Sequence, residues 1–171
     1  MISKKQFWRL IERSIQEKNS FDKNEQGDCL MDILKNESIE NIAGFHNRMI
    51  QLREEINLPM MKDIAFMMKY GDNEHAFEGF KNWVISLGEK HYNKAKLSPA
   101  HLLTLKDENL FVVGRAYFQD LNFVASGAFF EKTDLDFLEW EMALNIAKQN
   151  INMKRKAPNI EQVDKDEDLE R

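Results

Sequence analysis

Proline and glycine are scarce in this chain, with three and seven residues among 171. Sandwiches and barrels of β-strands need many tight turns, which these two residue types usually supply. Their scarcity argues against an all-β fold and favours helices. The single cysteine excludes an intrachain disulfide and any zinc site built from several cysteines.

Long apolar runs and excess cations are missing as well. No stretch approaches the roughly 20 residues that cross a bilayer, and the first residues, MISKKQFWRLIERS, contain no signal-peptide core. We therefore expect a cytoplasmic protein that is not inserted in a membrane. Lys and Arg number 24 against 29 Asp and Glu. The net charge of −5 argues against broad nucleic-acid binding, because phosphate contacts need a basic face.

Bulky apolar residues are plentiful, with 12 Phe and 9 Met, and they recur at helical spacing along most of the chain. The sequence therefore predicts an all-α protein, an irregular bundle of about seven or eight helices. Residues 1–153 are expected to form a single domain, and residues 154–171 a charged, mobile tail, because the apolar pattern ends after Met153. The clearest helical stripe consists of Ile42, Phe45, Met49, Leu52 and Ile56.

Capping signals mark several predicted helix starts. Ser3-Lys-Lys-Gln6 and Asp22-Lys-Asn-Glu25 have the spacing of capping boxes, and a third helix is predicted to begin near Ser38. Pro59 and Pro99 suit the first turn of a helix, where the missing N–H costs nothing. The helix after Pro59, MMKDIAFMMKY, is apolar on most sides, so we expect it at the centre of the fold.

Two helices are predicted in the last third of the chain. The first covers residues 107–126, with Gly127 as its C-terminal stop. The second runs from about Asp134 to Gln149. One apolar face of this second helix is expected to point inward: Leu135, Leu138, Met142 and Ile146.

Residues 71–92, GDNEHAFEGFKNWVISLGEKHY, combine acids, histidines, aromatic residues and glycines. One interpretation is a helix with well-marked ends. Asp72 would be the N-cap, Glu74 would lie in the first turn, and Gly88 would take the left-handed position at the end. Gly79 would let a neighbouring helix approach closely. One stripe would then be core, with Phe80 and Trp83 as its anchors: Ala76, Phe77, Phe80, Trp83, Val84 and Leu87.

The other interpretation is a metal or acid–base site built from Asp72, His75, Glu78 and His91. Asp72 stands three residues before His75, a spacing that places both on one helix face. A dimetal site in a helix bundle needs a second such pair and further carboxylates. His46, with Glu40 and Glu54 near it in sequence, does not complete that set.

Other catalytic signatures are missing. The chain contains no G-x-S-x-G, no P-loop and no G-x-G-x-x-G. Cys29 lies beside Leu30 in a helical stretch, which predicts a small buried side chain rather than a nucleophile. The sequence therefore assigns no catalytic residue, no metal and no cofactor.

Several segments also match the motifs of a known family. Residues 7–12, FWRLIE, resemble a FWxLIE start, and Ser98-Pro99 resembles a dPdsL segment. The most specific match is to F-x-x-F-[RK]-x-W-[LV]-I-x-x-G, which is met by Phe77, Phe80, Lys81, Trp83, Val84, Ile85 and Gly88.

Over about residues 5–105 the chain thus resembles the bacterial "domain of unknown function 4240". The resemblance implies the helical fold and a bacterial cytoplasm, and it implies no activity. That family commonly has paired Asp residues in the turn before FxxF, where this chain has Asp72-Asn73-Glu74.

By elimination, these observations favour a non-catalytic protein-interaction module, an adaptor or an immunity-type protein that binds another protein. The alternative is a metal-dependent or acid–base hydrolase that uses Asp72, His75 and Glu78. An enzyme should show a concave pocket where acids or histidines converge, and a binding module an exposed apolar or one-signed patch. The oligomeric state is left open by the sequence.

Overall fold

The structure, a computed structural model, describes residues 2–18, 23–70, 72–105, 117–118 and 120–156. Within these ranges the chain forms helices and no strand, so the all-α prediction is confirmed, with somewhat more helices than expected. The predictions for Asp22, for most of residues 107–119 and for the tail after Lys156 lie outside the described residues. The helices are α1 (Lys4–Lys18), α2 (Lys23–Lys35), α3 (Ile39–Glu55), α4 (Pro59–Met67), α5 (Glu74–Ser86), α6 (Glu89–Leu97), α7 (His101–Thr104), α8 (Leu121–Thr133) and α9 (Phe137–Lys156).

Three predicted helix starts are confirmed. Ser3 Oγ accepts a hydrogen bond from the backbone N–H of Gln6 at 3.0 Å. Ser38 Oγ does the same for Asn41 at 3.3 Å, and Pro59 is the first residue of α4. The two serine caps satisfy N–H groups that have no partner inside their own helix.

Helix α3 lies at the centre of the bundle and packs against α1, α5, α8 and α9. All five residues of its predicted stripe are buried. Phe45 in this stripe stacks on Phe7 of α1, with ring centroids 4.6 Å apart. The buried stripe explains how one helix can organise four others, because it presents apolar side chains along its whole length.

Helix α4, by contrast, lies at the edge, so its predicted central position is wrong. Met61, Ile64 and Ala65 are buried, but Phe66 and Met67 are 65% and 66% exposed. The helix has nine residues and packs mainly on α5. A short helix with one principal neighbour buries one side only, however apolar its other side is.

The predicted stripe of α5 is buried, including Phe80 and Trp83, except for Ala76, which is half-buried. Gly88 follows it with a φ of +90°, a conformation that favours glycine, as predicted. Gly79 does permit a close approach, but of the non-helical residues 117 and 118 rather than of a helix. The backbone N–H of Phe118 donates to the carbonyl of Gly79 at 3.0 Å, and a Cβ at Gly79 would overlap the ring of Tyr117.

The predicted stop at Gly127 is wrong. Residues 117 and 118 are not helical, α8 begins only at Leu121, and it passes through Gly127 to Thr133. The helix ends where Asp134 takes a left-handed φ of 54°. Gly127 instead lies in the contact between α8 and α2, where it faces Met31.

None of the helices in the described ranges has both the length and the apolar content needed to cross a membrane.

Replacing Trp83 by Ala is expected to lower the free energy of unfolding by about 3–5 kcal/mol, because a buried aromatic side chain leaves a cavity. Trp83 is 1% exposed. Phe66→Ala is the matched control, since Phe66 is 65% exposed and should lose little. Urea unfolding measures both, and equal losses would contradict the placement of Trp83 in the core.

Candidate functional site

The acidic turn before α5 is a helix start, but Asp72 is not its cap. Asn73 is the N-cap residue, and its Oδ1 accepts from the N–H of Ala76 at 2.9 Å. Asp72 is exposed and lies one residue further out. The prediction for Asp72 is therefore wrong by one residue, because Asp and Asn cap about equally well and sequence does not choose between neighbours.

The four residues of the predicted metal or acid–base site do not lie together as ligands of a metal ion. Asp72 and His75 are exposed. His91 lies next to His101 of α7, with its Nδ1 3.2 Å from Nε2 of that residue. Among the residues that the structure describes, no three His, Cys, Asp or Glu side chains are arranged to hold a metal ion.

Glu78, the remaining candidate, belongs to a polar cluster that joins α3, α5 and α8. Its carboxylate pairs with Arg53 at 2.8 Å and with Lys81, whose side chain is 1% exposed. Arg53 also donates to Asn122 Oδ1 at 2.8 Å, and Asn82 donates to the same oxygen at 3.1 Å. A carboxylate held by two cations has little capacity left for a metal, and its evident role is to neutralise a buried ammonium group.

This cluster was not found from the sequence, because its members come from three helices. Only the Glu78–Lys81 pair, three residues apart on one helix, could have been predicted.

An exposed apolar surface of the protein lies along α9. Its predicted inward face is wrong, because Leu135, Leu138, Met142 and Ile146 are 42%, 65%, 55% and 51% exposed. Trp140 and Ala147, on the opposite face, are buried instead. Helix α9 thus has apolar residues on two faces, and the face with the largest side chain packs on the bundle.

Trp140 fixes α9 against the rest of the protein. Its ring lies 5.2 Å from that of Phe129 in α8 and 5.6 Å from the imidazole of His46 in α3. Beside it, Asn47 Nδ2 donates to the carbonyl of Leu144 at 3.0 Å. These contacts determine which side of α9 faces solvent.

The start of α9 is also well defined, by a capping box that the sequence interpretation missed. Asp136 Oδ1 accepts from the N–H of Leu138 at 2.7 Å, and Glu139 Oε2 accepts from the N–H of Asp136 at 3.1 Å. The spacing of Asp136 and Glu139, Asp-x-x-Glu, is the sequence signal that predicts such a capping box. The predicted start at about Asp134 is too early, because residues 134–136 precede α9.

A groove of about 660 Å³ lies between α9, the start of α3 and the end of α8. We call it the α9 groove. Its volume is that of a ligand pocket, but no set of acids and histidines converges in it, so its chemistry is that of a binding surface. Its lining residues are mainly apolar: Ser38, Ile39, Glu40, Phe129, Lys132, Leu135, Glu139, Met142, Ala143 and Ile146.

Asn73→Ala is expected to lower the free energy of unfolding by about 1 kcal/mol, because the N–H of Ala76 loses its acceptor. Asp72→Ala should change it little, and Asn73→Ser should restore most of the loss. Thermal or urea unfolding of the three variants distinguishes the two positions. A larger loss for Asp72→Ala than for Asn73→Ala would contradict the observed cap.

His46, which contacts Trp140 of α9, makes the stability of the protein depend on pH. Burial, together with the positive charges of Arg53 and Lys148, lowers the pKa of His46 from 6.5 to about 4. Between these values the unfolded chain binds a proton that the folded chain does not, so the stability contributed by this residue falls as the pH falls from about 6.5 to about 4.

His46→Phe keeps an aromatic ring beside Trp140 and removes the proton site. The variant should therefore lose less stability than wild type as the pH is lowered through that window. Urea unfolding at a series of pH values measures the difference, and the remaining histidines and acids are common to both proteins. Parallel pH profiles would show that His46 has an ordinary pKa.

The α9 groove and the capped helix starts all lie within residues 2–150, which match the model of a known protein family. No curated protein and no solved structure matches the chain. The family described as "Protein of unknown function (DUF4240)" matches residues 2–150, which include all the helices up to most of α9. The chain therefore belongs to the DUF4240 family.

Proposed function

We propose that this protein is a non-catalytic protein-interaction module of the cytoplasm, and that it binds its partner through the α9 groove. The observation behind the proposal is the exposed apolar face of α9. Monomeric proteins rarely expose contiguous apolar patches of large extent, and such patches commonly mark sites of interaction with proteins.

The shape of this surface suits a helical partner. Leu138, Met142 and Ile146 follow one another at intervals of four residues, so they form a ridge along α9. The groove beside the ridge is lined by Ile39, Phe129 and Leu135. An amphipathic helix recognises such a surface by placing its own apolar residues, spaced three and four apart, in the groove.

Adaptors and immunity-type proteins both need a binding surface and no catalytic centre, and the groove supports either role. The hydrolase alternative has no comparable support within the described residues. Its candidates Asp72 and His75 are exposed, and Glu78 is engaged by Arg53 and Lys81.

Photo-crosslinking in the host cell tests the proposal. A photoreactive amino acid at Met142 should give adducts with one defined protein, identified by mass spectrometry, because that side chain lies in the groove. Ile146→Glu in the same chain should abolish the adducts, since a charge on the apolar ridge opposes burial.

The matched control is the same photoreactive residue at Met60 of α4, which is 59% exposed and outside the groove. An absence of adducts at Met142, or the same adducts from both positions, would reject the groove as the binding surface.

A further inference from the structure

We propose that the partner segment that binds in the α9 groove is a basic amphipathic helix, with Lys or Arg on both sides of its apolar stripe. The inference rests on the proposed function, because it specifies the chemistry of the occupant of the same surface. The charges around the groove support it, since most of them are negative and are not balanced by ion pairs within the described part of the chain.

The carboxylates of the groove come from two of the helices that form it. Glu40 lies in the first turn of α3 and is exposed, and Glu139 lies in the first turn of α9 and is half-buried. Among the residues that the structure describes, no Lys or Arg pairs with either carboxylate. Two negative charges therefore border a mainly apolar surface.

Lys132, which also lines the groove, is engaged with another helix. Its Nζ donates to the backbone carbonyl of Lys35, at the end of α2, at 2.8 Å. The ammonium group of Lys35 is itself held by Asp32 and Glu131, at 2.7 and 2.8 Å. Neither cation thus forms an ion pair with the two carboxylates of the groove.

The turn that leads into α9 adds negative charge at one end of the groove. Leu135 lines the groove, and Asp134 and Asp136 on either side of it are exposed. Residues 134–141 contain four acids and no Lys or Arg. A partner that brings Lys or Arg to this rim is attracted and steered toward the groove, whereas an acidic partner is repelled.

An amphipathic helix can contact the apolar and the acidic parts of this surface at once. Its apolar stripe packs on the ridge of Leu138, Met142 and Ile146 and in the groove beside it. Lys and Arg at the borders of the stripe have long apolar stems. These stems extend over apolar surface while the charged groups reach the carboxylates of Glu40 and Glu139.

The same charges disfavour the chain's own C-terminal segment, residues 157–171, as the occupant. That segment contains six acids and two cations. It would bring like charge to Glu40, Glu139 and the acidic rim, which opposes binding. The occupant is therefore expected to be a different chain.

Fluorescence anisotropy of two labelled synthetic peptides with the full chain tests the inference. Both peptides have Leu at helical spacings of three and four, and the polar face consists of Lys in one peptide and of Glu in the other. The Lys peptide should bind about tenfold more tightly than the Glu peptide. Glu40→Lys should weaken its binding about fivefold, and Lys132→Glu should strengthen it to a similar degree, because the two changes shift the charge of the groove in opposite directions.

Two further variants control for attraction by net charge alone. Glu74→Lys changes an exposed Glu in the first turn of α5, outside the groove, and should leave binding unchanged. Ile146→Glu should abolish binding of the Lys peptide although it makes the protein more acidic, because it places a charge on the apolar ridge. Circular dichroism and thermal unfolding establish that each variant is folded, and only folded variants are compared.

The inference is overturned if the Glu peptide binds as tightly as the Lys peptide, or if neither peptide binds. It is also overturned if Glu40→Lys has no larger effect than Glu74→Lys, or if Ile146→Glu binds the Lys peptide as tightly as wild type.

The crosslinking experiment distinguishes this failure from a failure of the proposed function. Adducts from Met142 to a neutral or acidic segment of another protein would reject the basic helix and leave the proposed function standing. An absence of any adduct from Met142 would reject both.

Discussion

Burial of the α3 stripe is the interaction on which the rest of the structure depends. Its five apolar side chains are almost inaccessible to solvent, and four other helices pack around them. Removing large apolar side chains from water is the dominant favourable contribution to folding. Because the stripe runs along the whole of α3, it sets the positions of α5, which carries the polar cluster, and of α9, which carries the exposed ridge.

The polar groups next to this core orient the helices that the apolar contacts hold together. The amine of Lys81 is enclosed by the protein and is neutralised by Glu78, which also pairs with Arg53 of α3. A buried cation without a partner would be very unfavourable, so this pairing admits few relative positions of α3 and α5. The cluster gives a structural role to Glu78, one of the catalytic candidates in the sequence.

The face that α9 turns toward solvent determines which of its apolar residues are available for contact with another molecule. With Trp140 buried against Phe129 and His46, the ridge of Leu138, Met142 and Ile146 is left facing solvent. Had α9 turned the other way, the molecule would have exposed a tryptophan and buried the ridge, and the groove would have been lined differently. The surface on which the proposed function rests is therefore a consequence of packing between α3, α8 and α9.

The sequence by itself determined the all-α class, the core stripes of α3 and α5, the caps at Ser3 and Ser38, and the glycine conformation at Gly88. These depend on spacing and on local hydrogen bonds, which a few consecutive residues contain in full. Only the tertiary structure decided that α4 is peripheral, that Gly127 lies within a helix, that Glu78 is paired with Arg53 and Lys81, and which face of α9 is exposed. Those outcomes depend on neighbours that are distant in the chain, and an apolar pattern shows that a face can be buried without showing which partner is there to bury it.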